Sequence, residues 1–225
     1  MLPFTREQFI AVFAAYNAGV WPAQIGAYLL GLGMVALLVW PSRTANRLIA
    51  AGLAAMWAWT GIAYHWVYFS SINKAALAFG ALFVAQAVLF LYLGAIRERL
   101  HFGASDGALA SLGWTLIAYA AIAYPLIGLW SEPSRSEIPM FGITPCPVTI
   151  FTFGLLLLTT APVSRWLLVI PFLWSLIGGS AAFLLGIPQD WLLAFSGVAA
   201  VLIVCRDRGC RFAAQPGHLA GGRRA

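Results

Sequence analysis

A polytopic bundle of membrane-spanning helices is the fold class this sequence predicts, and three observations predict it. The composition is 62% hydrophobic and only 9% charged over 225 residues, against about 25% charged in an ordinary soluble domain. Mean hydropathy is +0.87, and the apolar residues fall into successive stretches near the ~20 residues a helix needs to cross a hydrocarbon core of about 30 Å. The basic residues, finally, sort to alternate sides of those stretches. No polar region of domain size separates the stretches, so one bundle without a separate soluble module is expected.

Residues 4–18 place Phe4, Phe9, Val12, Phe13 and Tyr16 near one helical stripe, with Arg6, Glu7 and Gln8 off it. That is the pattern of a short amphipathic helix lying in the interface, and residues 1–20 are assigned to it. A cleaved signal peptide fits less well, because there is no basic n-region, Glu7 precedes the apolar run and no small-x-small cleavage site follows. Seven spans are then predicted, at 21–40, 48–69, 75–96, 108–130, 144–161, 166–186 and 188–205, so that 21–205 is the transmembrane helical bundle. Residues 206–225 are Gly-rich and basic and read as a flexible cytoplasmic tail. Trp21, Trp66, Trp130, Trp166 and Trp191 fall near span ends, as interfacial anchors do. Small residues recur at four-residue spacing in Gly178/Ala182/Gly186, Ala51/Ala55 and Ala76/Gly80, a pattern that lets helix backbones approach.

The charges orient the bundle. Arg43, Arg47, Arg97, Arg99, Arg165, Arg206, Arg208, Arg211, Arg223 and Arg224 fall on one side of the seven spans, and Arg6, Lys74 and Arg135 on the other. Short basic loops stay in the cytoplasm, so the N-terminus is predicted outside and the C-terminus inside. The formal net charge of +6 then reflects orientation and attraction to anionic lipid at the cytoplasmic side, not nucleic-acid binding. The lipid bilayer is the expected partner, and a homo- or hetero-oligomer is compatible with the sequence. Cys146, Cys205 and Cys210 form no CxxC pair and imply no disulfide framework.

Within the predicted spans no Asp, Glu, Lys or Arg lies near a midplane; the deepest polar residues are Thr60, Gln86, Thr115, Thr152, Ser175 and Ser180. This argues against carboxylate-based proton coupling at the midplane, a voltage sensor or a retinal-type Schiff base. The chemistry-bearing residues lie instead near the outer ends. Tyr64 and His65 sit in Tyr64-His65-Trp66, Asp190 opens the seventh span, and Glu132, Glu137 and Met140 belong to the longest outer connection. That connection runs into Thr144-Pro145-Cys146-Pro147, where the prolines place Cys146 at or just before a helix N-terminus. There a thiolate and soft-metal ligation are favoured, or Cys146 is simply a small buried residue behind a first-turn proline. His65 reads either as a hydrogen-bonded packing histidine or as a ligand, and Asp190 as a helix cap or a site group. His65, Cys146, Asp190 and Tyr64 form the candidate ligand-binding set. Cys146, His65 and Met140 would suit a soft or borderline metal ion, although no HxxxH, CxxC or HExxH spacing is present.

Phe4-Thr5 with Gln8-Phe9, Tyr16-Asn17, Trp21-Pro22, Tyr64-His65-Trp66 and Pro145-Cys146-Pro147 together resemble an uncharacterised family of bacterial multi-pass inner-membrane proteins, a domain of unknown function. The resemblance implies a bacterial cytoplasmic membrane location and carries over no activity, cofactor or catalytic residue. Two functional readings follow from the residues: a small transporter or channel for an ion or small solute with an outward-facing polar site, or a non-catalytic subunit or assembly factor of a larger membrane complex. An intramembrane enzyme is disfavoured, because no nucleophile, base and oxyanion set can be assembled.

Overall fold

The structure is a computed structural model that describes residues 3–104, 106–131 and 134–213, with the side chains of 135 and 208–213 left aside. Glu132, His218, Arg223 and Arg224, and the side chains of Arg135, Arg208, Cys210 and Arg211, thus lie outside the described residues. Among those described, the chain is helical, and one isolated bridge between Phe102 and Thr159 is its only β pairing. In a bilayer this economy is required, since backbone groups must be satisfied within the segment.

The elements are α1 (Arg6–Gly19), α2 (Ala23–Leu37), α3 (Arg43–Trp59), α4 (Ala76–Leu89), α5 (Ala108–Ala118), α6 (Tyr124–Ser131), α7 (Pro145–Leu157), α8 (Trp166–Leu185), α9 (Trp191–Ser196) and α10 (Val198–Ala213). Three π-helical stretches extend them: Thr60–Tyr68 continues α3, Phe90–Ile96 continues α4, and Tyr119–Ala123 joins α5 to α6. Four helices are long and apolar enough to cross a membrane: Ala76–Ile96, Ala108–Ser131, Trp166–Leu185 and Pro188–Asp207. A fifth is added if α1 and α2, bent by 85°, count as one broken span. Of the seven predicted spans, 48–69 and 144–161 are not among these, and the second has a physical reason. The predicted span 144–161 contains α7, whose 13 residues reach about 20 Å at 1.5 Å per residue, and every one of them is buried. α7 is the axis of the bundle and meets protein where a spanning helix meets lipid. Lipid-type surface lies elsewhere, in exposed Leu29, Leu32, Val88, Leu176 and Leu184.

α1 is the amphipathic helix expected. Its start is fixed by a capping box in which Thr5 accepts from the Gln8 N–H and Gln8 Oε1 accepts from the Thr5 N–H, satisfying donors that a helix start leaves free. Its buried face carries Val12, Phe13, Tyr16 and Asn17. Asn17 Nδ2 donates to the carbonyls of Ser136 and Ile138, each at 2.8 Å, and so ties α1 to the connection ahead of α7.

Prolines account for two of the long-range polar contacts, those of Tyr28 and Gln86. A proline inside a helix lacks an N–H and crowds the carbonyl four residues earlier. Pro125 frees the carbonyl of Ala121, which accepts from the Tyr28 hydroxyl at 3.2 Å. Pro171 lies inside α8 and frees that of Leu167, which accepts from Gln86 Nε2 at 3.0 Å. In both cases a side chain from a neighbouring helix supplies the donor that the proline removed. The carbonyl of Ile143, ahead of α7, accepts from the Tyr16 hydroxyl at 2.7 Å.

Close backbone approaches occur at some of the predicted small residues and not at others. A methyl on Gly80 would lie 2.8 Å from the Gly61 carbonyl, whereas the predicted Gly178 meets the Leu193 side chain and the close backbone approach on α8 is made by its neighbour Gly179, 2.9 Å from Ala194 Cα. Gly186, by contrast, is the left-handed terminator of α8 at φ +66, with open space where a Cβ would sit; its glycine serves the turn. Ala55 is exposed, and the tight approach on α3 is made by Gly52 against Met34.

The bundle has two chemically distinct ends. At one end Arg43 and Arg47 pair with Glu98 at 2.8 and 3.7 Å, and Arg206 donates to the carbonyls of Leu157 and Thr159 and to Thr159 Oγ1. Asp207 accepts there from the Val163 N–H at 2.7 Å. Arg206 and Asp207, placed in the tail by the sequence, are thus held against the end of α7, and α10 continues to Ala213. The other end holds α1, the start of α7 and the turn before α9.

Candidate ligand-binding site

The start of α7 builds one wall of the site. Pro145, Cys146 and Pro147 occupy the first three helical positions, where a missing N–H costs nothing because those donors have no intrahelical partner. Cys146 therefore lies inside the first turn rather than ahead of the helix. Thr144 makes no cap; its hydroxyl donates to the Met140 carbonyl at 2.7 Å.

The start of α9 builds the facing wall. Pro188–Asp190 form a 3-10 turn, and Asp190 occupies the cap position of α9 without capping it. Its carboxyl, buried at 3% exposure, instead accepts from the Tyr124 hydroxyl and lines the same cavity as Cys146. Tyr119 reaches the same turn, its hydroxyl donating to the Gln189 carbonyl at 2.8 Å. The π-helical stretch before Tyr124, next to Pro125, gives the two tyrosines their shared direction toward Pro188–Asp190.

A cavity of about 160 Å³ opens between these walls, and Tyr64, Cys146 and Asp190 all line it. That is the order of volume of an engineered apolar cavity that holds benzene. Phe4, Phe9 and Phe13 close it from the α1 side, and Trp174 and Gly178 of α8 complete it. Among the described residues Asp190 is the only charged one on its surface.

His65 does not line the cavity. It is completely buried one layer behind, its ring 4.7 Å from Phe83 and 5.1 Å from Trp174, and neither ring nitrogen has a hydrogen-bond partner. Trp174 stands between His65 and Cys146, and its indole Nε1 also makes no hydrogen bond. Buried polar atoms are rarely left unpaired, because each costs about 1–3 kcal/mol. The cluster of such atoms around Trp174 marks this end of the bundle as the place where packing is not optimised for stability alone.

The structure does not bring Cys146, His65 and Met140 together. Among the described residues no three His, Cys, Asp or Glu side chains converge, and His65 is walled off by rings. Met140 packs with the α1 cluster outside the cavity lining. No basic side chain lines the cavity beside Cys146, so the electropositive setting that activates a thiolate is missing as well.

Tyr124 and Trp174 are the site residues that sequence reasoning missed. Their signal was position: each is an aromatic well inside a predicted span, where belt residues are not expected, and Tyr124 directly precedes a proline. The motif residues cited above also converge here, since Phe4, Phe9, Tyr64, Pro145 and Cys146 all touch one cavity and Tyr16 supports its α7 wall.

A family model covers residues 6–214 of the chain and describes a family of unknown function, DUF6064. The chain belongs to the DUF6064 family. No curated protein and no solved structure matches it.

Proposed function

We propose that this DUF6064 protein is a small-solute transporter or channel of the bacterial cytoplasmic membrane, with its binding site in the cavity between α1, α7, α8 and α9. The observation that carries the reading is the meeting of Tyr64, Cys146 and Asp190, from three separate helical segments, on one cavity in an otherwise apolar bundle. Intramembrane ionisable groups are costly and mark solute pathways. A non-catalytic subunit would need no such cavity. In this reading the chain passes through the bundle seven times, N-terminus outside. α7 is sheathed by protein and need not reach either interface itself. Support comes from the charges: Arg43, Arg47 and Arg206 gather at the end opposite the cavity, as cytoplasmic residues do, and this end would meet anionic lipid. α1 roofs the cavity from outside.

The test is solute flux in proteoliposomes, across a panel of small amines, alcohols and carboxylates. Flux of at least one solute should be abolished when Cys146 is modified with methyl methanethiosulfonate and restored by reductant, in a protein carrying Cys205→Ser and Cys210→Ser. Absence of flux for the whole panel, or flux indifferent to Cys146 modification, refutes the proposal.

A further inference from the structure

Among the described residues the cavity contains one acid and no base, and that asymmetry selects a ligand class. Asp190 is buried with the Tyr124 hydroxyl against it and shares the cavity with Cys146, and among the described residues no Lys or Arg lines the space it faces. A buried carboxylate without a counter-ion is strongly disfavoured, so a ligand bearing positive charge gains what the protein itself withholds. The remaining surface is aromatic to an unusual degree. Seven aromatic side chains line the cavity, including Phe13, Tyr64, Phe79 and Trp174. They are braced against one another, with Phe13 and Tyr64 stacked at 5.4 Å and Phe79 and Trp174 edge to face at 5.4 Å.

A bare metal cation would need six or more oxygen ligands in the case of calcium, or a near-octahedral shell in the case of magnesium. The lining offers few oxygens, chiefly those of Asp190, Tyr64, Ser180 and Asn73. Aromatic rings around one carboxylate instead suit an alkylated ammonium, whose methyl groups carry the charge onto ring surfaces. We propose that the cavity binds a small organic cation of the methylated-ammonium class, with Asp190 as counter-ion and the rings from α1, α4 and α8 as its cage. This rests on the binding-site reading above and names its ligand.

The probe is tetramethylammonium chloride, with tert-butanol as a neutral control and sodium chloride matching ionic strength. Full-length protein in detergent, with Cys205→Ser and Cys210→Ser, is treated with methyl methanethiosulfonate and the rate of Cys146 modification is followed. At saturation tetramethylammonium should slow modification by about tenfold or more, equivalent to at least ~1.4 kcal/mol; tert-butanol should not. Asp190→Asn should remove the protection, and Phe13→Leu should raise the concentration of tetramethylammonium needed, both in protein whose thermal midpoint shows it folded. Protection by tert-butanol equal to that by tetramethylammonium, or protection that survives Asp190→Asn, overturns the cation inference while leaving a solute site in place. Modification that proceeds unprotected by either compound also overturns it. A Cys146 that never reacts sinks the underlying site reading as well.

Discussion

Replacing Tyr16 by Phe should unlatch α1 and expose the cavity. The ring itself is not the latch: its edge-to-face contacts with Tyr64 and Tyr68, at 5.4 and 5.2 Å, survive the substitution. The hydroxyl is, because it donates to the Ile143 carbonyl at 2.7 Å and accepts from Trp59 Nε1 at 2.8 Å. The Ile143 carbonyl lies ahead of the first turn of α7 and takes no part in its ladder. Each hydrogen bond contributes about 0.5–1.5 kcal/mol net, so the pair holds α1 down by roughly 1–3 kcal/mol. If α1 opens locally faster than Cys146 is modified, labelling follows the open population. The labelling rate should then rise roughly 5- to 100-fold, at 1.4 kcal/mol per tenfold. The assay is the rate of Cys146 modification by methyl methanethiosulfonate in a protein carrying Cys205→Ser and Cys210→Ser. Equal rates in Tyr16→Phe and the parent, with both folded, would refute the role of α1 as the roof.

Three further outcomes follow from the packing. Gln86→Leu should cost about 1–3 kcal/mol by stranding the Leu167 carbonyl, and noticeably less in a Pro171→Ala background, where the restored N–H reclaims that carbonyl; additive effects in a double-mutant cycle would contradict the proline account. Gly80→Ala should destabilise by about 1–3 kcal/mol through overpacking against the Gly61 carbonyl. Gly33→Ala, with nothing within 4 Å, should be neutral or stabilising by up to about 1 kcal/mol; thermal midpoints shifting together would undo the distinction. Arg206→Ala removes donors to Leu157 and Thr159 and should cost about 1.5–3 kcal/mol, the scale of charged hydrogen bonds, with hydrogen exchange accelerating in α10; unchanged exchange there would show that Arg206 does not hold the helix.

Much of this was legible from residue spacing, and the parts that were not share a cause. The stripe of Phe4, Phe9, Phe13 and Tyr16 announces α1, because amphipathic period is a local property of sequence. Hydropathy likewise locates the apolar helices, but it cannot tell a helix wrapped by lipid from one wrapped by protein. The full burial of α7 by protein was therefore not legible. Cys146 and Asp190 could be assigned to one end but not to one another, since their shared cavity depends on how α7 and α9 pack. Gln86 looked like a midplane polar group and proved to be the partner of a carbonyl that Pro171 released; the pairing spans 81 positions and has no local signature. His65 was legible as unusual, yet its seclusion behind Trp174 follows from tertiary packing alone.

The central claim is that the cavity faces the side of the membrane opposite the arginine-rich loops. Its most direct test is labelling of Cys146, again with Cys205→Ser and Cys210→Ser, by the impermeant 2-(trimethylammonium)ethyl methanethiosulfonate in right-side-out and inverted membrane vesicles. The account predicts modification in right-side-out vesicles and protection in inverted ones. Modification in inverted vesicles alone, or in neither, would contradict it.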